Sequence, residues 1–72
     1  MPQMFFILSC KRRGEDESVL SYFAMPGKAR SEAESLCKQD DLVPCPWVER
    51  SRNEASMDAE GVTFYVRKAQ IR

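Results

Sequence analysis

The residue types that most often carry enzyme chemistry are scarce in this sequence of 72 residues. It contains no histidine, which excludes the commonest general base, the Ser-His and Cys-His dyads and imidazole metal ligands. The three cysteines, Cys10, Cys37 and Cys45, form no Cys-x-x-Cys pair, so we expect no zinc site. Cys10 and Cys37 are typical of small buried hydrophobic residues, whereas Cys45, which lies between two prolines, is the thiol to test for reactivity.

Phosphate-binding and acid-base motifs are also missing from the sequence. The three glycines are isolated from one another, at Gly14, Gly27 and Gly61. They can form neither a phosphate-binding loop nor a dinucleotide-binding fingerprint. The neighbouring carboxylates Asp40-Asp41 and Glu15 to Glu17 fall in predicted exposed turns, where charged residues are usually just solvated. We therefore predict a non-catalytic protein that uses no metal and no cofactor.

Size and charge limit the class of protein further. A chain of this length makes one domain, residues 1–72, with a net stability of only about 3–5 kcal/mol. Lys+Arg and Asp+Glu both number 11, so no global field attracts nucleic acid or an anionic membrane. An odd set of cysteines indicates reduced thiols, and the apolar run Met4 to Leu8 is too short for a signal peptide or a bilayer span. We expect a soluble, cytoplasmic protein that makes no membrane contact.

Three segments have the pattern of β-strands. Val62 to Lys68 is the clearest, because apolar Val, Phe and Val alternate along it with Thr, Tyr and Arg. Gln3 to Cys10 is apolar on both sides, which fits a strand in the middle of a sheet or one covered on both faces. Ser18 to Met25 alternates up to a Pro-Gly turn. These strands would form the sheet of the domain.

The apolar period changes to that of a helix between the second and the last of these strands. From Lys28 to about Gln39 the apolar residues fall on one helical stripe, formed by Ala29, Ala33, Leu36 and Cys37. The helix begins either with a capping box at Ser31 and Glu34 or nearer Lys28, after Gly27. A helix of about three turns is unstable alone, so its stripe must pack on the sheet.

The remaining segment completes the predicted fold. Trp47 to Arg50 is predicted to be a short edge strand, because Pro44 and Pro46 precede it. Residues 51–60 are interpreted as a polar loop with at most a helical turn. The fold class is therefore α+β, with a three- to four-stranded antiparallel sheet and one helix on one face. Its elements follow in the order strand, strand, helix, short strand, strand.

Aromatic and basic residues provide two candidate binding surfaces. If residues 47–50 pair with the last strand, Trp47, Arg50, Tyr65 and Arg67 fall together as a protein interface. Trp47 equally fits a side chain that plugs the open end of the sheet. The alternative is a single-stranded nucleic-acid surface, formed by Lys11, Arg12, Arg13, Tyr65 and Arg67. The eleven acidic residues count against this alternative, and Lys11 to Arg13 also fit a hairpin arm that faces Glu15 to Glu17.

The order of elements resembles that of a group of small proteins from bacteriophages. A Pro-Gly turn at Pro26-Gly27 and an Ala/Glu/Ser/Leu helix over Ala29 to Leu36 stand between strands, as in phage-encoded inhibitors of RNA polymerase and in anti-CRISPR proteins. The resemblance implies a stoichiometric inhibitor that occupies a surface of a larger host protein or complex. It assigns no functional residue. Homodimerisation through the same sheet face is an equally physical use of that surface.

Overall fold

The computed structural model describes residues 3–71, which form one five-stranded antiparallel sheet and one helix. The elements in chain order are β1 (Gln3–Arg12), β2 (Ser18–Phe23), α1 (Pro26–Gln39), β3 (Val48–Ser51), β4 (Glu54–Ala59) and β5 (Val62–Ile71). The strand order across the sheet is β2-β1-β5-β4-β3. The predicted α+β class is confirmed, whereas the predicted number of strands is too low by β4.

The two longest strands, β1 and β5, pair along their whole length at the centre of the sheet. Their register runs from Gln3 opposite Ile71 to Arg12 opposite Val62. Both strands extend beyond their predicted ends. Because side chains alternate along a strand, Leu8 and Val66 point to one face of the sheet and Ile7 and Arg67 to the other.

The predicted loop at residues 51–60 is instead the β3–β4 turn followed by strand β4. Ala55, Met57 and Ala59 are buried and alternate with polar residues, so the segment has the period of a strand despite its helix-favouring composition. A two-residue turn joins β4 to β5, and both of its residues have positive φ, 47° at Glu60 and 91° at Gly61. Such backbone geometry is that of a tight β-hairpin.

The helix α1 begins at Pro26, earlier than predicted. A proline fits the first turn because it has no backbone N–H to leave unpaired. Met25 occupies the N-cap position without a side-chain hydrogen bond, so the capping box of Ser31 and Glu34 does not form. After the helix, Asp41 has a φ of 54° and the N–H of Leu42 donates to the carbonyl of Cys37 at 2.8 Å.

The core lies between the helix and one face of the sheet. The predicted helical stripe is confirmed, since its members Ala29, Ala33 and Cys37 are completely buried. They pack with the buried sheet residues Leu8, Met57, Ala59, Val62, Phe64 and Val66. The small alanine side chains let the helix approach the sheet closely, and the opposite face of the sheet is left without the helix.

Candidate functional site

The candidate site is the face of the sheet opposite the helix, which we call the open face. Pairing places Phe5, Ile7 and Ser9 of β1 there, beside Tyr65 and Arg67 of β5. The outer strands add Tyr22 of β2, Glu54, Ser56 and Asp58 of β4, and Val48 and Arg50 of β3. The open face has an apolar part near β2 and a polar part around Arg67.

Arg67 is the centre of the polar part. Its Nε donates a hydrogen bond to Glu54, its Nη1 donates to Glu17, and Nη1 also lies 3.4 Å from the Ser9 hydroxyl. The Ser9 hydroxyl in turn donates to the Glu17 carboxylate at 3.0 Å. The side chains of Arg67, Glu17 and Glu54 are 37%, 33% and 30% exposed. This group, called the Arg67 cluster, joins β1, β4, β5 and the loop before β2.

The Arg67 cluster stabilises the charged forms of Glu17 and Arg67. The hydrogen bond from Arg67 lowers the pKa of Glu17, against the opposing effect of burial, and the bond from Ser9 lowers it further. The same contact with Glu17 raises the pKa of Arg67, so its guanidinium is always charged. Two carboxylates surround one guanidinium, and the positive charge of Arg67 is therefore already neutralised within the protein.

Tyr65 also contacts the Arg67 cluster. The guanidinium carbon of Arg67 lies 4.5 Å from the centre of the Tyr65 ring, as in a cation–π contact. Arg67 is thus neutralised and already covers one side of the Tyr65 ring, which leaves less of this pair for a nucleic acid. The remaining predicted nucleic-acid residues lie at the β1 hairpin end, where Arg12 is 3.8 Å from Asp40 and the N–H of Arg13 donates to the carbonyl of Gly61.

The two arms of the charged hairpin tip face each other as the sequence suggested, but no salt bridge joins residues 11–13 to residues 15–17. Arg12 contacts Asp40 after the helix, and Glu17 contacts Arg67 of β5. Lys11 stays exposed and contributes a weak attraction that also lowers the pKa of Glu17. The charged residues on the two sides of Gly14 therefore connect the hairpin to the end of the helix and to β5. β5 is within reach because it is the second neighbour of β1 in the sheet.

The apolar part of the open face consists of Phe5, Ile7, Leu20 and Tyr22, which we call the apolar strip. The rings of Phe5 and Tyr22 meet edge to face, with centroids 5.8 Å apart at 61°. Ile7 lies opposite Tyr22 in the β1–β2 pairing, and Leu20 is the extra residue of a bulge in β2. Tyr22 is 63% exposed although its ring is held by Phe5. The surplus of apolar residues in the sequence predicts apolar surface on a second sheet face, but the predicted interface residues do not include these four.

The predicted interface residues fall on both sides of the sheet. Arg50, Tyr65 and Arg67 share the open face, where the Nε of Arg50 donates to the Ser56 hydroxyl at 2.9 Å. Trp47 lies on the helix side, where its indole N–H donates to Glu34 at 3.3 Å and its ring packs against the core. The expected pairing of residues 47–50 with the last strand is wrong, because β4 lies between β3 and β5.

Among residues 3–71, no group of three cysteine, aspartate or glutamate side chains is placed to hold a metal ion. All three cysteines are free thiols, with Cys37 buried, Cys10 half-buried and Cys45 exposed. Burial raises the pKa of the Cys37 thiol, which keeps it protonated and unreactive.

Comparison with known proteins adds no family. No protein-family model matches the chain, and no curated protein or solved structure is significantly similar to it. Within the described residues, the single helix is too short and too polar to cross a bilayer. The open face is thus the feature from which a function can be inferred.

Proposed function

We propose that this protein is a non-catalytic binding module that docks on a larger protein through the open face of its sheet. The observation that carries the proposal is the apolar strip, in which the exposed Tyr22 is held by Phe5 on a rigid strand. Aromatic side chains that are fixed before binding are the commonest anchors of protein interfaces, because little conformational entropy is lost when they are buried. The Arg67 cluster then forms a polar rim beside this anchor.

The edge of the sheet supports the same proposal. β2 is an edge strand whose sequence, Ser18–Phe23, contains neither a charged residue nor a proline. The other edge strand, β3, carries Glu49 and Arg50, which are typical protections against pairing with another chain. We therefore expect the partner to present an extended segment that pairs with β2 while its side chains cover the apolar strip.

The proposed mode of action is stoichiometric occupation of a surface. This is the mode that the resemblance to phage-encoded inhibitors implies, and it requires no reacting group. Three free thiols fit a reducing compartment, so we place the partner in the cytoplasm. A protein partner is favoured over nucleic acid, because Arg67 is neutralised by Glu17 and Glu54 and covers Tyr65.

The experiment is a capture from bacterial lysate with the tagged protein and a pair of matched variants. Nuclease and about 0.5 M salt remove contacts that depend on nucleic acid or surface charge. Tyr22→Ser removes the anchor, and Val43→Ser removes a side chain of similar exposure, 69% against 63%, from the loop after the helix. We expect one stoichiometric partner on the wild type and on Val43→Ser, and at least tenfold less of it on Tyr22→Ser.

Circular dichroism should first show that both variants are folded. Equal capture by Tyr22→Ser and Val43→Ser would contradict docking through the apolar strip. An empty capture together with a dimer mass in light scattering would also contradict it, because the strip would then bind a second copy of the chain.

A further inference from the structure

The helix leaves a cleft on its own side of the sheet. It packs on β1, β2 and β5, and the chain after it returns over one end of β4, where the N–H of Cys45 donates to the carbonyl of Asp58 at 2.8 Å. At the other end of β4, beside the Arg52-Asn53 turn, a cleft of about 230 Å³ lies between the helix start and the β3–β4 hairpin. It is on the opposite side of the sheet from the open face.

The cleft combines an apolar floor with a basic rim. Phe6, Ala55 and Val66 line the floor, which continues into the hydrophobic core. Arg30 and Lys68 line the rim, and Lys68 lies opposite Phe6 in the β1–β5 pairing. Arg52 adds a third cation from the turn. The cleft therefore joins a small apolar patch to several charged and polar groups, and a few polar groups beside apolar surface can orient a small ligand with one charged end.

The charges at the rim are incompletely neutralised. The Glu54 carboxylate is bound to Arg67 on the open face, so it does not balance the rim. Glu49 lies 3.7 Å from Arg30, and within the described residues no salt bridge involves Arg52 or Lys68. Arg52 and Lys68 therefore have no acidic partner among these residues, and Arg30 shares its charge with Glu49 alone.

Arg30 is held in place but has unused hydrogen-bonding capacity. Its guanidinium carbon lies 5.3 Å from the centre of the Trp47 ring, in a cation–π contact. Its Nε is closed off from solvent and has no acceptor in the part of the chain that the structure describes. The guanidinium is thus a fixed cation with one long ionic contact, to Glu49.

We propose that this cleft binds a small monocarboxylate with a short apolar group. The apolar group would rest on Phe6 and Val66, and the carboxylate would meet Lys68 and the accessible edge of Arg30. Inorganic phosphate has no apolar group to rest on the floor of the cleft, so it would gain only the contacts at the rim. This site goes beyond the proposed docking function and uses no residue of the apolar strip.

The test is a titration of the ¹⁵N-labelled protein with hexanoate, followed by amide chemical shifts and by fluorescence of Trp47, the only tryptophan. We expect a Kd that is roughly millimolar, as for a ligand of about eight heavy atoms, with shifts concentrated at Ala55 and Val66. The neutral analogue hexanamide and inorganic phosphate should each bind at least fivefold more weakly. Two sources can supply the carboxylate, a free acid or the C-terminus of a peptide. Peptides that end in leucine, with a free carboxylate or with an amide, distinguish these two sources.

Two variants locate the carboxylate. Lys68→Met should weaken hexanoate about tenfold through loss of one charge-assisted contact, whereas Lys38→Met, at the far end of the helix, should leave the Kd unchanged. Both side chains are exposed, so both variants should fold. Equal binding of hexanoate and hexanamide, equal Kd values for the two variants, or shifts outside the cleft would each overturn the proposal. Tyr22→Ser should bind hexanoate normally, which separates this site from the docking face.

Discussion

Replacing Arg67 by methionine should remove most of the stability of this small protein. The substitution keeps the long apolar stem of the side chain but deletes the guanidinium that bonds Glu54 and Glu17 and stacks on Tyr65. It also leaves two partly buried carboxylates without their cation. We therefore expect Arg67→Met to lower the free energy of unfolding far more than the removal of an ordinary surface charge does.

The size of the loss can be worked from the contacts. A hydrogen bond to a charged group contributes about 1.5–3 kcal/mol when buried, and the one-third exposure of these side chains reduces each ion pair to about 1 kcal/mol. The contact with Tyr65 adds about 0.5 kcal/mol. The sum, about 2.5 kcal/mol, is half or more of the roughly 3–5 kcal/mol available to a domain of this size.

The assay is urea unfolding followed by circular dichroism, with an osmolyte such as trimethylamine oxide added to keep the weakest variants folded. Glu17→Gln alone should cost about 1 kcal/mol, and a double-mutant cycle with Arg67→Met should give a coupling energy of similar size. Arg13→Met, a charge removal at the exposed hairpin tip, is the control and should cost less than about 0.5 kcal/mol. If Arg67→Met costs no more than Arg13→Met, the inferred role of the cluster is wrong.

Three further predictions address the turn, the carboxylate and the thiols. Gly61→Ala should lower the free energy of unfolding in urea by about 1 kcal/mol, because a φ of 91° is strained for a residue with a Cβ. No atom lies within 4 Å of the added Cβ, so no clash adds to this cost. Gly27→Ala, in the helix, should be neutral or stabilising. Folding lowers the pKa of Glu17, so this carboxylate stabilises the protein fully above its usual pKa of 4.5 and ceases to do so as the pH falls through the folded pKa. In Glu17→Gln, the free energy of unfolding should therefore depend less on pH in the acid range. Maleimide at neutral pH should label the exposed Cys45 first and the buried Cys37 only on unfolding, and equal rates would contradict the described burial.

Elements with a strong apolar period could be predicted from the sequence. The alternation in Val62 to Val66 and the helical stripe through Ala33 each agree with the structure, because burial of one face imposes that period on the residues. The segment Glu54–Ala59 was missed for a physical reason. Its buried positions are filled by alanine and methionine, which are as common in helices as in strands, and only the two-residue spacing and the Glu-Gly turn before Val62 indicated a hairpin.

The site could be predicted less well, because it depends on which strands are neighbours. Glu17 and Arg67 are 50 residues apart in the chain, and they meet only because β5 is inserted between β1 and β4. Local patterns do not contain that information. Trp47 and Tyr65 both stood out as aromatic interface candidates, but β4 lies between β3 and β5 and keeps them apart.

Pairing of the first strand with the last has a consequence for how the chain folds during synthesis. Gln3 lies opposite Ile71, so the centre of the sheet is complete only when the final strand has left the ribosome. Until then the β1–β2 hairpin and the helix expose the apolar surface that β5 will cover. Formation of the sheet is therefore expected to wait for the synthesis of β5, and removal of β5 should abolish folding. The start of β1 and the end of β5 lie side by side, so a circular permutant can join them and open at the exposed turn between Ser51 and Glu54. In that permutant the pairing of β5 with β1 becomes a local step.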